Sequence, residues 1–172
     1  MSPRKPVGVV LISNSQRAVR VYRKRLAELV GFVARKEGHR LGQIDIAVAG
    51  RAEMSRLNRE WLGDGRATDV LSFDLTEGGG AGICAQIVVC GELAAEQARL
   101  RGLRPQRELM LYVVHGLLHL MGCEDATVRG AAKMHAREDE LLDEFLGRRR
   151  PVKPSSSSST PVAARPSRRR RV

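Results

Sequence analysis

The chain has 172 residues, 42% of them hydrophobic but only 3% aromatic, with a formal charge of +11 at pH 7. That length allows one domain with a real core, and no uninterrupted apolar run approaches the roughly 20 residues of a membrane span. The excess charge is local: residues 148–172 hold nine Lys or Arg and no acid, leaving 21 basic against 19 acidic residues in 1–147.

In chain order, GVVLIS (8–13) predicts a buried first strand, and no small-residue cleavage pattern follows it to suggest a signal peptide. Asn14 or Ser15 is placed to cap a helix running to about Lys36, with Val19, Leu26, Leu29, Val30 and Val33 as its apolar face. IDIAVAG (44–50) alternates as a second strand should and ends at a glycine. A helix from about Ala52 to Leu62 follows, with Met54, Leu57 and Trp61 at spacings of three and four. GDGRATDVLSFDL then reads as a turn and a third strand, Val70–Leu75. The stretch Gly78–Gly82 is a loop before a fourth strand, ICAQIVVC (83–90).

Glu92 to Leu100 is helical, and Pro105 suits the first turn of a long apolar helix. Thr127 is a cap for a last helix to about Leu146, in which Met134, Leu141, Leu142 and Phe145 cover the core. Four strands early and long helices late predict a three-layer α+β domain, a roughly four-stranded mixed sheet packed with about five helices. Residues 1–147 form that domain. The remainder, 148–172, is a Ser-, Pro- and Arg-rich tail whose composition cannot build a core. Such a tail suits contact with phosphates without sequence preference, or serves as a solubilising extension. Cys84, Cys90 and Cys123 are odd in number and lack CxxC spacing, as expected of free thiols in a reducing cytoplasm.

The long apolar helix carries the chemistry. His115 and His119 lie four residues apart, so both imidazoles project from one helical face. Buried histidine pairs are often plain hydrogen-bonded core residues. Here, however, the helix is apolar nearly all round, and two of only four histidines in the chain fall in one turn. Gly122 ends the helical pattern and can turn the chain back toward that face, bringing Asp125 within reach as a third ligand. Two histidines and one oxygen leave a fourth position on zinc for water, the arrangement of catalytic zinc sites. In the HExxH zinc proteases a glutamate general base follows the first histidine. Gly116 stands there instead, which disfavours ordinary peptide hydrolysis and leaves room for another backbone or a substrate near the metal.

Taken together, the segments resemble the YbeY family of bacterial single-strand-specific metallo-endoribonucleases, which act in rRNA maturation and ribosome quality control. The likeness rests on LNREW (57–61), TDVLSF (68–73), AQIVVCGELAAEQA (85–98), HGLLHLMG (115–122), and Met134 with Glu138, in that order over most of 1–147. It implies a zinc-dependent endoribonuclease with one zinc per chain, held by His115, His119 and the residue in register with the family's third histidine. That residue is Asp125, an oxygen ligand suited to zinc, with Glu124 and Cys123 as neighbouring alternatives. Leu62 stands where the family carries an arginine linked to activity; Arg59 or Arg66 is then the candidate phosphate contact. Gln86 replaces a usual aspartate. The resemblance implies cytoplasmic action on single-stranded RNA, rRNA and ribosomal particles, including 16S 3′-end maturation, with the basic tail a further nucleic-acid contact. A ribosome-assembly factor with a structural metal and weakened cleavage is the rival reading.

Overall fold

The computed structural model describes residues 8–78 and 82–147. Four strands, β1 (Val9–Asn14), β2 (Leu41–Ala49), β3 (Val70–Asp74) and β4 (Ile83–Cys90), form one sheet in the order β1-β2-β4-β3. β1, β2 and β4 are parallel, and β3 pairs antiparallel with β4 at the edge. Five helices accompany them: α1 (Arg23–Lys36), α2 (Arg51–Leu62), α3 (Gly91–Leu100), α4 (Pro105–Leu120) and α5 (Val128–Phe145). The predicted α+β class, mixed sheet and helix number are those observed. The predicted tail, 148–172, and part of the Gly78–Gly82 loop lie outside the described residues.

Alternation along the strands separates two apolar layers. Ile44, Ile46 and Val48 of β2, Ala85, Ile87 and Val89 of β4, and Val70 of β3 point into the main core with α1, α4 and α5. Leu71, Val88 and Ala49 point the other way and pack with Met54 of α2. Sheet and helices therefore stack in three layers. α4 is the central helix, with Glu108 through Leu118 all buried, which explains why its sequence is apolar nearly all round. Pro105 sits at its first turn, where a missing N–H costs nothing.

Four expectations change. The first strand is not buried: β1 lies at the sheet edge, with Val9 and Leu11 more than half exposed. No helix starts at Asn14 or Ser15; α1 begins at Arg23. The Gln16 side chain accepts from the N–H of Val19 and donates to its carbonyl, while Asn14 Oδ1 accepts from the Gln16 backbone and side-chain amides. These local bonds compete with a helical ladder, and the segment stays a loop although Val19 still reaches the core. β2 begins three residues earlier than expected, at Leu41. Trp61 does not complete the apolar face of α2. It is 61% exposed and rests edge-on against Phe73, with ring centroids 5.5 Å apart.

Candidate metal centre

The helical repeat of α4 places His115 and His119 side by side, rings nearly perpendicular at 84° and Nε2 atoms 3.0 Å apart. The helix then stops at Leu120. Gly122 adopts φ 87°, a left-handed conformation that glycine enters without strain, and Cys123 N–H donates to the Leu118 carbonyl. That turn sends the chain back over the helix end. It brings Asp125 Oδ2 to 3.4 Å from His119 Nε2 and 4.0 Å from His115 Nε2. Thr127 then caps α5, accepting from the Gly130 N–H.

The far side of each ring is also held. His115 Nδ1 lies 2.5 Å from Glu138 Oε1 of α5, and His119 Nδ1 lies 3.1 Å from the Cys123 carbonyl oxygen. Both partners offer acceptor oxygens, so each Nδ1 can donate its ring proton there and leave Nε2 as the ligand atom for a metal ion. Two such lone pairs and a carboxylate oxygen converge, one ligand atom from each residue, all within 4.8 Å of one another. This donor set fits a divalent ion of the zinc type, and the convergence of three electron-rich atoms is an arrangement that a cation stabilises.

Asp125 is thus the residue that the structure brings to the histidines. Glu124 is exposed, and Cys123 offers its backbone carbonyl to His119. Burial pushes the Cys123 thiol above its usual pKa, which disfavours the thiolate that ligation requires. Gly116 faces the sheet: a Cβ there would stand 2.7 Å from Ser72 Oγ, 3.1 Å from Ile87 and 3.2 Å from Val70. Its smallness admits the sheet, where the sequence suggested a backbone or substrate approaching the metal.

The arginines take different positions. The Arg66 guanidinium is engaged by both carboxylate oxygens of Asp64, which raises its pKa further. Arg59 lies against Gly65. Leu62 packs beside the small apolar cluster around Met54 and Leu71. Gln86, flanked by Asp45 and Phe73, points away from the α4 side, since its neighbour Ile87 is the residue that faces Gly116. In TDVLSF, Val70 and Leu71 are core, whereas Asp69 Oδ1 accepts from the Val70 N–H and the Thr68 hydroxyl, a local strand-entry role. Sequence reading gave Glu138 no part in the site. The available signal was an acid on the apolar face of α5, between Met134 and Leu141.

Fold and site define a three-layer α+β protein with a candidate mononuclear metal centre where its central helix ends. The sequence profile of the family described as Endoribonuclease YbeY matches residues 11–146, and the chain belongs to that family. It is 36% identical over 148 residues to the Endoribonuclease YbeY of Renibacterium salmoninarum, covering 81% of this chain and 94% of that protein. It is also 36% identical over 128 residues to that of Salinibacter ruber, covering 70% and 82%. The solution structure of TM1509 from Thermotoga maritima superposes with a TM-score of 0.57 at 26% identity, covering 81% of this chain and 90% of that one.

Proposed function

We propose that this protein is a zinc-dependent endoribonuclease that hydrolyses single-stranded RNA and acts in 16S rRNA 3′-end maturation and ribosome quality control. The observation that carries this reading is the convergence of His115 Nε2, His119 Nε2 and Asp125 Oδ2 in a chain of this family. A divalent ion bound there supplies Lewis acidity toward a phosphoryl oxygen and an acidified water. His115 and His119 hold their lone pairs toward the ion, and Asp125 adds the one formal negative charge among these three donors. Gly116 moves no proton, and its contact with Ser72 leaves no space for a glutamate in its place. Of the two candidate arginines, Arg59 is the one this reading prefers for a phosphate, since the Arg66 guanidinium is engaged by Asp64.

The partners in this reading are rRNA and ribosomal particles in the cytoplasm. Residues 1–147 act as the catalytic domain, and the basic segment 148–172 adds phosphate contacts. Among the described residues, no helix is long and apolar enough to cross a membrane. One observation favours the rival assembly-factor reading. Leu62 sits in an apolar cluster, where the resemblance leads one to expect an arginine.

Metal content and cleavage of single-stranded RNA, measured on wild type and Asp125→Ala, test the proposal. The expected result is near one zinc per chain and metal-dependent cleavage in wild type, both lost in the variant. Bound zinc without cleavage in wild type supports the assembly factor. Metal retained by Asp125→Ala overturns the ligand assignment.

A further inference from the structure

We propose that Glu138 is a positioning residue for the metal centre: its carboxylate fixes the ring of His115 and thereby sets how tightly the site holds a divalent cation. The inference rests on the metal-centre reading above. Glu138 is fully buried, and its Oε1 stands 2.5 Å from Nδ1 of a histidine that is itself 1% exposed. Along α5 it lies on the same stripe as Met134, Leu141 and Leu142, which are all core residues.

Packing alone does not require an acid on that stripe. A buried carboxylate is costly unless hydrogen-bonded, and apolar residues of similar volume often replace buried ionic pairs without destabilising the fold. Two of its charged neighbours on α5, Arg137 and Glu140, pair with one another, and Arg137 also pairs with Glu37. Glu138 instead points inward at the histidine.

The two histidines differ in how they are held. His119 sits at the helix end, where the returning chain supplies the Cys123 carbonyl without any side chain being needed. His115 lies a turn deeper, where main-chain carbonyls are committed to the helical ladder, so a side chain from the adjacent helix provides the acceptor. That acceptor is an anion. It keeps the proton on Nδ1, aims Nε2 at the other donors, and makes the imidazole a stronger ligand than a carbonyl acceptor would. The Glu138–His115 hydrogen bond thereby ties α5 to the metal centre across 23 residues of sequence.

The test titrates metal-stripped full-length protein with Zn2+ against a chromophoric chelator, for wild type, Glu138→Gln, Glu138→Met and, as a control on the same helix, Glu140→Gln. Circular dichroism checks the fold, and ring 15N shifts show which nitrogen of His115 carries the proton. Removing such a partner weakens metal binding by about 10–100-fold, the change expected for Glu138→Met. Glu138→Gln keeps an acceptor without the charge and is expected to fall between that variant and wild type. Glu140→Gln should bind as wild type does. If Glu138→Met fails to fold, Glu138→Gln decides alone. Wild-type affinity and an unchanged His115 ring signal in folded Glu138→Gln overturn the positioning role while leaving the metal centre standing. A wild type that binds no Zn2+ overturns both.

Discussion

A methyl group added at Gly116 would meet Ser72 Oγ at 2.7 Å, closer than real Cβ atoms come to a neighbour, with Ile87 and Val70 also tight. α4 crosses the sheet at that point, so the histidine box owes its glycine to close helix–sheet packing. Gly116→Ala is therefore expected to destabilise the protein. Overpacking costs about 1–3 kcal/mol, set against a gain of about 1 kcal/mol in helix propensity. A urea midpoint that rises in Gly116→Ala, with unchanged slope, would show that the sheet yields and that packing does not explain the glycine. The two histidines were legible because helical spacing is a local signal, and Asp125 was preferred to Glu124 and Cys123 by its register with the family's third histidine. The role of Gly116 was not legible, since its neighbours come from strands some 30–45 residues earlier in the chain.

Among the elements, α5 links the site to the core. It begins just beyond the loop that carries Asp125 and bears Glu138 in its middle. Its N-terminus is secured by the Thr127 hydroxyl, which accepts from the Gly130 N–H at 2.9 Å. Thr127→Ala should lower stability by about 1 kcal/mol, and amide exchange in the first turn of α5 should accelerate while the centre of α4 stays protected. Equal acceleration in both helices would mean that the cap stabilises the whole molecule and not this turn. This cap was readable from sequence because Thr127 directly precedes the periodic run. The start of α1 was not, because Asn14 and Ser15 look equally suitable. The competing acceptor there is a glutamine side chain folded back on Val19.

For the whole molecule, the separation of charge is the main expectation for binding. Residues 1–147 are nearly balanced, whereas 148–172 hold nine cations and no anion. If that segment binds RNA, its removal should flatten the salt dependence of binding, by roughly 0.7 in the logarithmic slope for each phosphate that its cations neutralise. Cleavage by the shortened chain at low salt should persist, because His115, His119 and Asp125 all lie before the cut. An identical slope for the two lengths would mean that the segment does not touch RNA.

The sequence by itself determined the elements and the polar pair on α4, because strand alternation, helical spacing and cap residues act over a few neighbouring positions. It also placed the chain among its relatives, since ordered blocks survive at about one-third identity. Tertiary structure alone decided which layer each strand face joins and what lies behind each histidine. Leu62 packs beside the cluster around Met54, Gln86 is exposed on the sheet face away from α4, and Trp61 lies open to solvent against Phe73. Glu138 reaches His115 of the candidate metal centre only because α5 packs on α4. A hydrogen bond across 23 residues has no periodic signature; it exists because two helices close the distance between an acid and an imidazole.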